Sequence, residues 1–324
     1  MLLPSLPELD SAAATVYAAM APTPQLNWPM IDQLLGAQAW IKHENHTPIG
    51  AFKVRGGLVY LERLRRRDPA VTGIVSATRG NHGQSLAYAA RRHGLAVDIV
   101  VPHGNSVEKN AAMRAWGARV IEHGADFNDS LDHARVLAER DGLHMVPSFH
   151  PDLMAGVASY WLELLRAQPA LDLLIVPIGQ GTGICGAIAA RHALGLSTRI
   201  VGVVSRHAPA YQLSFAARRA VEAPVSTVIN DGLACRVPNA DSLAIILAHV
   251  DEVVAVSDAE VAQAMREYYR CTHNLAEGAG ASALAAALQL RDSGALSGRR
   301  IGIPLCGGNV DAAQFAAVLQ GSLP

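Results

Sequence analysis

Four short stretches of this sequence carry groups that could do chemistry. In Ala51-Phe52-Lys53-Val54-Arg55-Gly56-Gly57 a lysine follows an aromatic residue and opens an apparent helix. An amine at that end of a helix meets the positive pole of the dipole, which disfavours the ammonium form and favours a nucleophile or base. A solvated lysine with no task would read the same way in isolation. Thr78-Arg79-Gly80-Asn81-His82 makes a polar turn between an apolar strand and a helix. Amides at such a helix start suit a carboxylate-sized anion; the alternative is an ordinary loop in which Asn81 caps the helix. Directly after the run Leu173–Val176 comes Gly179-Gln180-Gly181-Thr182-Gly183. Its glycines let the backbone approach closely, the next helix aims its amides at a phosphate, and Thr182 adds a hydroxyl donor. Finally, Leu305-Cys306-Gly307-Gly308-Asn309 joins a strand to a helix through a thiol, which either lines a cleft or serves as a small buried hydrophobe.

The glycine loop excludes two familiar nucleotide sites. It lacks the Gly-Lys-Ser/Thr ending of a triphosphate-binding loop. The next strand ends Val203-Val204-Ser205-Arg206, with no acidic residue to hold the ribose of a nicotinamide dinucleotide. A lysine, a phosphate loop, an anion loop and a weakly polar strand end are together the parts that a pyridoxal-phosphate site needs.

Parallel strands must position these parts. Apolar runs at 73–77, 97–101, 118–121, 173–177, 199–204, 252–256 and 300–305 read as strands, with helices over 84–93, 108–116, 258–271 and 281–291. Buried strands alternating with helices imply parallel sheets covered on both faces, which bind ligands beyond the carboxyl ends of their strands. No repeat or Pro/Ser-rich linker breaks the chain, so two blocks sharing one body with a cleft between them are expected. Composition agrees with small-molecule chemistry. The 324 residues are 50% hydrophobic with a net charge of −1, and lack the basic face that nucleic acid or a membrane surface would require. Cys185, Cys235, Cys271 and Cys306 form no CxxC pair, which argues against a zinc ribbon or a disulfide framework. With no basic leader before Pro4 and no apolar run of membrane-spanning length, a cytoplasmic protein is expected.

In order and spacing these motifs resemble the serine/threonine dehydratase and serine racemase group of the fold type II pyridoxal-phosphate enzymes, from Thr23-Pro24-Gln25-Leu26 to the turn at Cys306–Asn309. The resemblance implies a tryptophan synthase β-like α/β fold. Its two domains would each be a three-layer α/β/α sandwich on a parallel sheet, with the cofactor in the cleft between them. Residues 1–68 and 149–324 would form the large cofactor-binding domain, and residues 69–148 the small substrate-binding domain. The resemblance also implies that Lys53 forms the Schiff base with pyridoxal 5'-phosphate and that Phe52 flanks the ring. Asn81 would bond the phenolic oxygen, Cys306 would face the pyridine nitrogen, and Glu277 would lie near the cofactor. Gly179, Gln180, Gly181, Thr182 and Gly183 would hold the phosphate, and Thr78, Arg79, Gly80, Asn81 and His82 the substrate. The implied reaction is β-elimination from L-threonine or L-serine, giving 2-oxobutanoate or pyruvate and ammonia. Lys53, displaced by the substrate amine, would take the Cα proton. A neutral Cys306 would favour prompt elimination over transamination. The resemblance further implies a homodimer.

Three departures stand against this background. The group usually carries serine or alanine where Arg79 stands, and in racemases that serine is the second acid/base. Arginine cannot abstract a proton, so weak or absent racemisation is expected; Arg79 either faces solvent or pairs with a substrate carboxylate. The group's divalent-cation site uses carboxylates where this chain reads Ser205-Arg206-His207-Ala208, so no metal is expected. The chain stops soon after the Cys306 turn, so no domain for isoleucine feedback is expected. Residues 79–84 and Asp231–Pro238 also resemble hydroxyectoine-utilisation dehydratases. A hydroxyectoine breakdown product, 3-hydroxyaspartate and 3-phenylserine are therefore alternative substrates, and a non-catalytic ligand-binding protein of the same fold is the further alternative.

Overall fold

The computed structural model describes residues 2–323. The chain opens with α1 (Leu6–Tyr17), β1 (Gln25–Asn27), α2 (Pro29–Leu35), β2 (Gln38–His43) and α3 (Lys53–Arg67). There follow β3 (Gly73–Ala77), α4 (Asn81–Arg91), β4 (Ala96–Val101), α5 (Val107–Ala115), β5 (Arg119–Glu122), α6 (Phe127–Asp141) and β6 (His144–Met145). α7 (Pro151–Ala167) leads into β7 (Leu173–Pro177), α8 (Thr182–Ala193), β8 (Arg199–Ser205), α9 (Ala210–Ala217) and α10 (Ala240–His249). The last elements are β9 (Glu252–Val256), α11 (Asp258–Thr272), α12 (Gly278–Asp292), β10 (Arg300–Leu305) and α13 (Ala312–Leu319).

The strands form a four-stranded parallel sheet, β5-β4-β3-β6, and a six-stranded sheet, β1-β2-β10-β7-β8-β9. One strand departs from the expected parallel arrangement: β1 pairs antiparallel with β2, Gln25 opposite Lys42. Residues 28–37 between them are too few for a parallel crossover, which needs about a dozen. The continuous apolar runs are buried as parallel strands should be; β3 is buried at every residue. One helix start moves. α4 begins at Asn81 rather than near 84, because Gly80 turns the chain at φ 153°.

One apolar core runs between the sheets, drawing Val54, Leu58 and Leu61 from α3, Leu86 from α4, Trp161 from α7 and Ile188 from α8. α3 forms because Val54, Leu58 and Leu61 recur on one face, while Arg65, Arg66 and Arg67 favour its C-terminal pole. It lies backbone to backbone on its neighbours. A Cβ on Gly156 of α7 would collide with the Arg55 carbonyl, one on Gly57 with Ser85 of α4, and one on Gly56 would stand 2.9 Å from the Leu153 carbonyl.

Arg55 fixes the head of this helix. Its guanidinium is fully buried and paired with Glu44 (Nε–Oε2 2.7 Å) and Glu163 (Nη1–Oε1 2.6 Å). Ser159 Oγ accepts a further bond at 2.9 Å. Lys42 pairs with Glu163 at 2.5 Å and donates to the Thr23 carbonyl at 2.7 Å; the Thr23 hydroxyl donates to Glu44 at 2.5 Å. Two cations and two anions are thus matched to one another. Removing one partner strands the others, at a cost of about 3–5 kcal/mol. Arg55→Met is expected to lower unfolding free energy by about that amount in urea denaturation, with the m-value unchanged.

Candidate active site

The carboxyl ends of the two sheets face a cleft of about 1070 Å³, counting its open mouth. Lys53, the first residue of α3, reaches into it. Its backbone is held on every side. The Phe52 amide donates to the Cys306 carbonyl at 3.0 Å, Ser85 Oγ donates to the Lys53 carbonyl at 2.6 Å, and Thr47 Oγ1 donates to the Ala51 carbonyl at 2.9 Å. The amine lies 5.0 Å from the Phe52 ring centre and in no ion pair among the described residues. Burial pushes its pKa down to about 8, against the opposing pull of Cys306 and Glu277.

Across the cleft the glycine loop runs from β7 into α8. Gly181 caps that helix in a left-handed conformation (φ 93°) with no side-chain cap, and a Cβ there would stand 2.5 Å from Ser242 Cβ. The first amides of α8 are therefore left to whatever anion lies in the cleft. Thr182 Oγ1 makes a long bond to the Ser148 carbonyl, 3.4 Å. Gly179, Gln180 and Gly183 complete the wall, with the Gln180 amide turned toward Cys235 Sγ at 3.5 Å.

The 78–82 turn closes the third side. Thr78 Oγ1 accepts from the Gly80 amide at 2.9 Å. Asn81 does not cap its helix; Nδ2 donates to Glu277 Oε1 at 2.6 Å and Oδ1 accepts from Asn309 at 2.8 Å. His82 is buried and neutral, its pKa pushed down to about 3 by loss of water and by Lys53. Arg79 lines the cleft half-buried and makes no ion pair among the described residues. At the floor, Cys306 Sγ donates to the Ala279 carbonyl at 3.4 Å, and burial raises its pKa far above the usual thiol range. The thiol is therefore neutral.

All the residues singled out from the sequence thus border one cleft. Two charged cleft residues were given no chemical role from the sequence: Lys109, on α5 beyond the carboxyl end of β4, and Asp231. The Lys109 amine lies 2.7 Å from Asp231 and 3.2 Å from Glu277. Lys109 could have been suspected from its place after a strand end; Asp231 opens a loop already noted for its wording.

The cleft fits pyridoxal phosphate. An amine in no ion pair among the described residues, an uncapped helix start and a small apolar cluster of Phe52, Leu233, Ala279 and Cys306 line the same cleft. Lys53 would hold the aldehyde carbon, the 179–183 loop the phosphate, and Phe52 and Ala279 the ring. The family model described as "Pyridoxal-phosphate dependent enzyme" matches residues 16–307. The chain belongs to that family. An L-threonine ammonia-lyase of Geobacter sulfurreducens is 34% identical to this enzyme over 290 residues, 89% of this chain and 71% of that one. An L-threo-3-hydroxyaspartate ammonia-lyase of a Pseudomonas species is 33% identical over 322 residues, 99% of this chain and 100% of that one. Among solved structures, maize serine racemase superposes with a TM-score of 0.91 at 27% identity, covering 98% of each chain. These likenesses bear out the fold type II reading and the pyridoxal-phosphate cofactor.

The low pKa of Lys53 has a direct consequence. In the cofactor-free enzyme, labelling of Lys53 by an amine reagent is expected to reach half its maximal rate near pH 8. A solvated lysine would do so near pH ~10.4. Peptide mass spectrometry across a pH series checks this, and an ordinary midpoint would contradict the desolvated site.

Proposed function

We propose that this enzyme eliminates the β-hydroxyl of a small hydroxy amino acid, L-threonine or L-serine, releasing a 2-oxo acid and ammonia. The observation that carries the reading is Lys53, an amine in no ion pair among the described residues whose pKa burial lowers to about 8 even with Glu277 nearby, beside a neutral His82 and a neutral Cys306 thiol. Bound there, pyridoxal phosphate supplies an electron-withdrawing ring that acidifies the Cα proton of an attached amino acid. Lys53, neutral in useful amounts at physiological pH, takes that proton at Nζ and can return it. Neutral Cys306 offers the ring nitrogen no carboxylate, which suits elimination rather than transamination. Helix α8 and the 179–183 loop fix the anionic end, and the 78–82 turn receives the substrate carboxylate. No second base of ordinary strength stands among 78–82: the Thr78 hydroxyl is engaged by the Gly80 amide, His82, its pKa pushed down to about 3, binds a proton too weakly, and Arg79 keeps its proton. Racemisation is therefore weak.

Residues 1–68 with 149–324 serve as the large cofactor-binding domain and residues 69–148 as the small substrate-binding domain; the four-stranded sheet lies wholly within the latter. The same reading makes the enzyme a cytoplasmic homodimer. Its four cysteines are unpaired, as a reducing compartment keeps them, and edge strand β1 leaves Leu26 exposed at the rim of the large sheet.

Arg79 favours a second reading. A guanidinium in a cleft wall with no anion of its own is fitted to a substrate's side-chain carboxylate, as in 3-hydroxyaspartate. The deciding experiment measures 2-oxo acid release from L-threonine, L-serine, their D-forms, 3-hydroxyaspartate and 3-phenylserine, with Lys53→Ala as the blank. Turnover of L-threonine or L-serine above the blank is the expected result; silence on every hydroxy amino acid would sink the proposal. If Arg79 holds a distal carboxylate, Arg79→Ser lowers kcat/KM for 3-hydroxyaspartate at least about tenfold more than for L-threonine. An unchanged ranking would remove the second reading.

A further inference from the structure

Lys109 belongs to one half of the molecule and its carboxylate partners to the other. It projects from α5, beside the four-stranded sheet, to Asp231, in the loop between α9 and α10, and to Glu277, the residue that opens α12, both in the six-stranded half. The pair forms the charged centre of a seam. On the same stretch, Ser106 Oγ bonds Asp311, and Glu108 accepts from the Ala312 amide at 2.8 Å. The lysine's aliphatic stem has its own role. Gly80, at φ 153°, rests on it so closely that a Cβ there would stand 3.1 Å from both Cβ and Cγ of Lys109. Composition marks the residue again: only Lys42, Lys53 and Lys109 are lysines among 27 basic residues, and each sits in the interior network or the cleft.

We propose that Lys109 is a positioning residue that latches the cleft. Its stem seats the Gly80–Asn81 turn. Its ammonium draws the small half onto Asp231 and Glu277, fixing the carboxylate whose Oε1 receives the Asn81 amide. The proposal deepens the catalytic reading above and rests on it for the kinetic part only.

The electrostatics support the geometry. Glu277 is buried, which raises its pKa; nearby Asp231 raises it further, while Lys109 and the Asn81 bond lower it. Lys53 and the neutral Cys306 thiol complete the ionisable groups acting on it. Without Lys109 the carboxyl would take up a proton at higher pH, and Asn81 would lose its charged acceptor.

The test uses the pyridoxal-phosphate-loaded enzyme and three variants. Lys109→Met keeps most of the stem and removes the charge, Lys109→Arg restores a charge, and Asp231→Asn removes a partner. Hydrogen exchange of residues 78–82, 105–112 and 228–235 is expected to speed up at least tenfold in Lys109→Met, with amides of β7 and β8 unchanged. Lys109→Arg should recover part of the protection, and adding Asp231→Asn to Lys109→Met should change little more. In 2-oxo acid release, Lys109→Met should raise KM more than it lowers kcat and move the acid limb of kcat/KM to higher pH. Exchange equal to wild type in those segments would overturn the latch. So would equal acceleration in β7 and β8, which would mark Lys109 as a general stabiliser. A localised exchange response in an enzyme that turns over no hydroxy amino acid would leave the latch standing and remove the catalytic reading instead.

Discussion

A guanidinium cut off from water must have every one of its donors answered, and Arg55 imposes that demand on the whole fold. Its partners come from the turn after β2, from the middle of α7 and from the segment before β1. These three stretches can meet only if the large sheet is assembled and α7 has crossed over it. Lys53 lies two residues earlier on the same helix, about 200° around its axis. One face of that first turn is therefore anchored by ions, and the other is free to present an amine to the cleft.

The molecule divides labour between its two kinds of cation. Arginine holds its charge under all conditions and is used for the buried anchor and the cleft wall. Lysine can give its charge up, and what surrounds each lysine decides whether it does. All three lose water on burial; Lys42 and Lys109 are given carboxylates at ion-pair distance, and, among the described residues, Lys53 is not. The residues nearest that amine follow the same logic: a charged His82 would push its pKa lower still and a thiolate at Cys306 would raise it, and both are neutral.

The sequence made some of this visible. Strands such as Gly73–Ala77 and Arg300–Leu305 are covered on both faces, so their apolar character is continuous and their limits can be read directly. β2 could not be read so, because Lys42 and His43 are polar yet fully buried, and the partner that makes Lys42 tolerable, Glu163, lies 121 residues away. The site followed the same rule. Lys53, Asn81, the 179–183 loop and Cys306 stand at strand–helix turns, where local pattern reports on ligands. Lys109 follows a glutamate on an amphipathic helix and looks solvated, since Asp231 is 122 residues away and Glu277 farther still. Polar groups whose meaning comes from distant partners leave no local periodicity to detect.

The helices beneath the cleft meet through glycines, with α3 resting on α7 at Gly56 and Gly156 and on α4 at Gly57. Such contacts hold no side-chain volume to exchange, so a larger residue at any of them has nowhere to go. A lineage built on this scaffold has its inherited variation filtered accordingly. The floor that carries the amine is closed to gradual change, and new diets must arise in the rim, around Arg79 and Leu233–Cys235. Divergence in what is eaten, with constancy in how it is broken down, is the natural history such a layer permits.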